Sequence, residues 1–220
     1  MKKFSLFICI LFSVAILSSC IAENRLYDRV SQLRYDVLYF EDDEIELTCF
    51  AETSEFPEEN DGFVGQNANL ATFKLFPKYS EKITEGATLE FVSDGIKHTV
   101  KFEFRPSAEV YYAKCEQTGL IGRDLTVKIT VNGEQKTAVL TSLKRNDLID
   151  YREIIKKLDD LGDEKVKSFL KYPDSAELKI RLLYSDGFNF WYVGIVREGE
   201  TVNLLFDGLT GEHIETKITK

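Results

Sequence analysis

Few side chains in this 220-residue sequence are of a kind that performs chemistry alone: four cysteines and two histidines, set against 37 Asp and Glu. His98 and His213 lie in different segments, far from the short Cys and His spacings of a zinc site. No zincin helix motif, phosphate-cradling glycine loop, dinucleotide fingerprint or nucleophile elbow is present. The carboxylates cluster at Glu41-Asp42-Asp43-Glu44 and again at Glu52, Glu55, Glu58, Glu59 and Asp61. Calcium takes roughly six to eight oxygen ligands, but its loops alternate carboxylates with a turn glycine, and neither run has that order. Runs of like charge ordinarily form solvated loops. No metal or cofactor is expected. Hydrolysis through two carboxylates needs a particular pair facing one substrate, and the abundance of acids selects none, so no catalytic residue is assigned.

One stretch is unusually aromatic. Alternation along Phe188-Asn189-Phe190-Trp191-Tyr192 puts Phe188, Phe190 and Tyr192 on one strand face, with Asn189, Trp191 and Val193 on the other. One face must be core. Trp191, the sole tryptophan, is therefore either packed inside or, if its face is left uncovered, the candidate contact for a protein partner.

The first twenty residues carry a different kind of signal. Lys2 and Lys3, the apolar run Phe4 to Leu17 and the small residues before Cys20 form a secretory signal peptide, with a run too short to stay as a spanning helix. The alternatives are an uncleaved anchor over Met1 to Ile21 and an ordinary signal peptide cut elsewhere. Leu17-Ser18-Ser19-Cys20 resembles the bacterial lipobox, matching at all four positions. That resemblance implies removal of residues 1–19, lipidation of Cys20 and attachment to a membrane outside the cytoplasm, at the cell surface or in the periplasm. Residues 20–28 are then a short lipidated tether.

Charge narrows the partners. The chain carries a formal −9, and loss of Lys2 and Lys3 takes the mature protein to −11. Nucleic acid is excluded as a natural partner by that sign, and the acyl chains, not a basic surface, must make the membrane attachment. A protein partner stays open, and the sequence says nothing of oligomeric state. With Cys9 in the signal and Cys20 lipidated, Cys49 and Cys115 remain. Export permits one disulfide between them, with two buried thiols as the alternative.

These side chains must be positioned by strands. Leu33 to Phe40, Ile45 to Glu52, Leu70 to Phe76, Thr88 to Ser93, His98 to Phe104, Val110 to Cys115, Leu125 to Val131 and Gln135 to Leu143 read as short strands, several alternating cleanly. Asn132-Gly133 marks a hairpin turn, because both its central positions need positive φ. Evenly spaced strands suit an antiparallel β-sandwich over 29–145. Glu46-Leu47-Thr48-Cys49 and Tyr111-Tyr112-Ala113-Lys114-Cys115 resemble the two cysteine strands of an immunoglobulin-like domain, without the tryptophan between them. The resemblance implies that the cysteines sit in facing sheets within bridging distance.

After Leu143 the period changes. Leu148, Tyr151, Ile155 and Leu158 form a helical stripe, which Asn146 or Asp147 can cap and Gly162 can close; a second short helix runs from Asp163 to Lys171. Strands then return at Ala176 to Tyr184, Phe188 to Val196, Thr201 to Phe206 and Glu212 to Thr219. The segment Val202 to Glu212 resembles the closing hairpin of PepSY-type domains, exported modules proposed to restrain peptidases. The expected fold is therefore mainly β: an immunoglobulin-like sandwich followed by a small α+β domain over 146–220. The expected function is that of a lipid-anchored, non-enzymatic envelope protein that binds a partner, the alternative being an exported hydrolase acting on glycan or peptide.

Overall fold

The computed structural model describes residues 26–57, 59, 61–78, 83–117, 124–172 and 175–219. The lipobox and Cys20 lie outside the described residues, as does Glu58. In chain order the strands are β1 (Val30–Glu41), β2 (Ile45–Glu55), β3 (Asn67–Pro77), β4 (Ala87–Ser93), β5 (Ile96–Lys101), β6 (Glu103–Arg105), β7 (Val110–Glu116), β8 (Asp124–Val131) and β9 (Glu134–Ser142). Two helices follow, α1 (Tyr151–Asp160) and α2 (Glu164–Leu170), then β10 (Glu177–Ser185), β11 (Phe188–Arg197), β12 (Glu200–Asp207) and β13 (His213–Thr219). The protein is mainly β, as its strand pattern predicts. All thirteen strands join in one branched sheet.

β1 is where the sheet branches. Strand β2 runs antiparallel along one side of it, from Gln32↔Ser54 to Glu41↔Glu46. Its other side is divided. Val30 to Arg34 pair in parallel with Leu178 to Arg181 of β10, whereas Leu38 and Tyr39 pair antiparallel with Ser142 and Thr141 of β9. Between the two lies a bulge: Arg34 faces Glu52 and Asp36 faces Ala51, leaving Tyr35 as an extra residue. A bulge bends its strand and increases the local twist, so here it turns β1 out of one sheet direction and into another. The extra residue also resets the side-chain alternation. Leu33 and Leu38 are five apart and would face opposite ways on a regular strand; with Tyr35 inserted, both face inward, into two different cores.

The first core is a sandwich. The second half of β1, with β2, β3 and β7, faces β9, β8, β4 and β5, and Leu47, Phe73 and Leu75 meet Leu89, Ile129 and Leu140 between them. Gln117 ties the far end: its amide accepts from Ser93 Oγ at 3.2 Å and donates to Leu70 O at 3.2 Å. The expected single strand His98 to Phe104 is two strands. β5 pairs with β4 and β6 with β7, so the chain crosses between sheets at Phe102, whose N–H donates to Ala87 O at 2.9 Å. Phe104 consequently lies outside, 51% exposed and 5.0 Å from the Tyr111 ring.

The second core forms under β10 to β13 and the first half of β1. Ile154, Ile155 and Leu158 of α1 and Val166 of α2 pack on Leu178, Ile180, Leu182, Trp191 and Val193, and Leu26 joins them ahead of β1. Asp150 caps α1, accepting from Arg152 N at 2.8 Å, in place of Asn146 or Asp147. The reason is a strap before the helix: Ile149 N–H donates to Gly208 O, and Asp147 is held by Arg145. Asp163 caps α2. The helical segment between β9 and β10 carries the chain from the antiparallel partner of β1 to its parallel one, and so lets the later hairpins join the sheet of β1.

Candidate functional site

At the bulge the two wings of the sheet part and leave a valley on the outer face. One wall carries Arg34, Val37 and Tyr39 of β1 with Phe50, Thr48 and Glu46 of β2. The other carries Leu183 and Ser185 of β10 with Phe190 and Leu205 behind them, and Leu182 and Leu143 lie at the floor. The cleft measures about 860 Å³, within the range of roughly 300–1,000 Å³ of small-ligand sites. Both walls stand on laddered strands, so their side chains hold fixed positions. The floor is pinned from the core side by Asn189, 3% exposed, which accepts from Arg145 N at 3.0 Å and donates to Leu143 O at 3.3 Å.

The closed end of the cleft is positive. Arg34 lines it, and Arg181, the register partner of Arg34 on the parallel strand β10, stands just beyond the lining. Glu52, directly opposite Arg34 on β2, approaches its Nε at 3.6 Å, but that carboxylate already accepts from Gln32 Nε2 at 2.9 Å and Thr72 Oγ1 at 3.1 Å. Arg181 Nε donates to Gln32 Oε1 at 2.6 Å. Burial lowers the Arg34 pKa to about 10, with Glu52 opposing that shift and Arg181 adding to it. From here cations and rings alternate across the outer face: Arg181 lies 5.5 Å from the Tyr192 ring, Arg34 and Lys74 lie 3.9 and 5.1 Å from Phe50, and Arg105 lies 3.5 Å from Tyr112. Burial, then the neighbouring arginines, lowers Lys74 as well. A strongly acidic chain therefore keeps one basic face. The open end of the cleft has the opposite sign, with Glu46 and Asp186.

The remaining candidates fall elsewhere. Trp191 is 3% exposed, packed in the second core, and its Nε1–H donates to Ile149 O at 2.9 Å, so it pins the strap and does not offer a partner contact. Its strand neighbours Phe190 and Tyr192 hold the outer face instead. Cys49 and Cys115 are free. They lie in one sheet with β3 between their strands, Cys49 opposite Phe73 and Cys115 opposite Ala71. Two strand spacings of about 4.8 Å exceed the reach of a disulfide, so the expectation of bridged, facing sheets is overturned. Burial raises Cys49 well above the usual thiol range and Cys115 to about 11, which leaves neither as a ready nucleophile.

The first acidic run is paired with lysines: Asp42 and Glu44 hold Lys136 at 2.7 and 2.8 Å, and Glu41 holds Lys78. His98 stacks on Phe91 at 4.8 Å, and His213 meets Phe206 edge-on and Thr216 Oγ1 at 2.8 Å. Among the described residues no group of His, Cys, Asp and Glu is arranged to hold a metal ion. A second buried polar site lies beyond Arg34, where Glu177, fully buried, has Lys179 at 3.5 Å and, among the described residues, no hydrogen bond to either carboxylate oxygen. Burial raises its pKa, and Glu55 and Asp61 add to the rise against Lys179.

Sequence reasoning missed Arg34, Arg181 and the cleft. A signal was present in Glu177-Leu178-Lys179-Ile180-Arg181, where charge alternates with core residues. It marks a charged face but not the strands beside it. No known family model, no curated protein and no solved structure matches this chain.

Proposed function

We propose that the protein is a lipid-anchored, non-enzymatic binding protein of the bacterial envelope and that the cleft beside β1 is its ligand site. The observation that carries the binding role is the cleft itself: apolar walls fixed by two sheet wings, with opposite charges separated at its ends. The anchor is supported by the lipobox resemblance of Leu17-Ser18-Ser19-Cys20. Leu26 is already buried in the second core, six residue steps from Cys20. That separation spans at most about 20–22 Å, so the cleft would work close to its membrane.

Two measurements test this. Metabolic labelling with palmitate should mark the wild-type protein and leave Cys20→Ala unlabelled and released from membranes, or stalled with its signal intact. An NMR fragment screen should shift Val37, Thr48, Leu183 and Phe190 together, and Thr48→Trp, which fills the cleft, should remove those shifts. Shifts confined to other residues would move the binding site elsewhere. A hydrolytic reading is favoured by one feature, the presence of Glu46 and Asp186 in the same cleft. It requires turnover of a glycan or peptide that is lost in both Glu46→Gln and Asp186→Asn.

A further inference from the structure

We propose that the cleft takes an extended peptide tail, laid antiparallel along the open edge of β10, with its C-terminal carboxylate against Arg34 and Arg181. This rests on the cleft being the binding site. The first support is backbone. Leu182 to Ser185 pair with β11 but, among the described residues, have no strand on their other side, because β1 has turned away at its bulge and taken β9. Leu183 and Ser185 exchange their bonds with Phe190 and Phe188 across the two-residue turn, so it is the backbone groups of Leu182 and Tyr184 that face the open side. An unpaired strand edge beside a cleft is the template to which an extended peptide adds as a further strand.

The second support is charge and its direction. Like charges directly opposite one another on neighbouring strands repel, and Arg34 and Arg181 occupy such positions, with Glu52 at 3.6 Å from Arg34 Nε and the neutral Gln32 Oε1 accepting from Arg181. Glu52 is already occupied by Gln32 and Thr72, so the closed end of the cleft keeps an excess positive charge in a partly dry setting. A carboxylate placed there would satisfy both guanidinium groups, which suit planar two-oxygen anions. β1 and β10 both run from this end toward the open one, so a chain that ends at the arginines must run antiparallel to both. Its upstream residues then pass Glu46 and Asp186, which favour a basic residue or a free amino group in a short peptide.

The third support is shape. Four edge residues span about 13 Å, enough for a four-residue tail. Its alternate side chains would meet Val37 and Phe50 on one side and Leu183, Phe190 and Leu205 on the other. An apolar carboxylate without a peptide backbone satisfies the arginines and the walls but leaves the β10 edge unpaired.

The test uses the full chain in detergent with three probes: a pool of fluorescent heptapeptides with apolar C-terminal residues and free carboxylates, the same pool amidated, and octanoate. The free-carboxylate pool should bind, and amidation should weaken binding by roughly tenfold to a hundredfold, the loss expected for a charge-assisted hydrogen bond. Arg181→Gln should impose the same loss on the free pool and none on the amidated one. This variant keeps the Arg34–Glu52 pair, and an unchanged Tm checks its fold. Hydrogen exchange should slow at Leu182 and Tyr184 when peptide is bound. Equal binding of both pools, protection confined to other strands, or no peptide binding would each overturn the inference. Octanoate binding without peptide binding would overturn it too, while leaving the cleft as a ligand site; a cleft that binds no probe and no fragment would remove both readings.

Discussion

The sandwich and the helix-backed wing bury comparable apolar faces but treat their outer faces differently. On β8 and β9 the outward residues Thr126, Lys128, Thr137 and Val139 are exposed and solvated. On β10, β1 and β2 the outward residues Glu177, Lys179, Gln32 and Glu52 are buried although they are polar or charged. The cause is β1. It joins β10 and β2 side by side before its bulge, so these residues are flanked on both sides, and the segment after β2 folds over one end of the face, where Arg29 Nη2 donates to Gly62 O at 2.8 Å. Burying charge costs free energy unless partners are supplied. A face that buries charge around a cleft is therefore under a constraint that the open face of β8 and β9 is not, and this contrast locates the functional surface.

The largest expected effect comes from removing the bulge. Deleting Tyr35 would leave Leu33 and Leu38 four apart, on one face of a regular strand, and would remove the bend that lets β1 pair first with β10 and then with β9. Loss of cooperative folding is expected, by circular dichroism and denaturant titration, and retained folding would show that the two directions of β1 do not depend on the extra residue. Next is Trp191→Ala, which empties part of the second core and frees the strap. About 3–5 kcal/mol should be lost in urea unfolding. Asn189→Ala should cost about 1–3 kcal/mol, because Leu143 O and Arg145 N lose their partner in a buried place. It should also loosen the cleft floor, read as faster exchange at Arg145.

The smallest effect concerns Glu177. Its folded pKa is raised above the unfolded value, chiefly by burial, so its contribution is most favourable when protonated, below the unfolded pKa, and is lost as pH rises through the folded pKa. Glu177→Gln should then be more stable than wild type near neutral pH, and the gap should close as pH falls toward the carboxylate range. A constant gap from pH 7 to pH 4 would show that the carboxylate is not held uncomfortably.

Much of the fold is legible because alternation is a local property. Ile45, Leu47 and Cys49 alternate into the sandwich core, and Ile155 and Leu158 keep helical spacing onto the second core, as their sequence pattern predicts. What is not legible depends on neighbours. Nothing in Leu33 to Phe40 shows that β1 changes partners halfway, because the bulge is expressed only against β2. The spacing of Cys49 and Cys115 fits facing sheets as well as one sheet, and the order of strands decides between them. Gly208 illustrates the same limit: it reads as a turn residue, yet a Cβ there would come within 2.4 Å of Asn189 O and 2.7 Å of Leu148, so glycine is required by the strap packed on it. The cleft needs both wings in place, and no single strand announces it.

β1 welds the two cores into one unit with the cleft at the joint. The second core includes Leu26 and the first half of β1, so a fragment of residues 146–220 would lack part of its own interior. Two probes separate the cores in the intact protein: fluorescence of Trp191, the sole tryptophan, reports the second, and thiol labelling of buried Cys49, in a Cys115→Ser background, reports the first. Followed together through a urea titration, both should give one transition with a common midpoint. Two separated midpoints would instead show that the cores unfold independently and that the cleft lies between two modules and not within one.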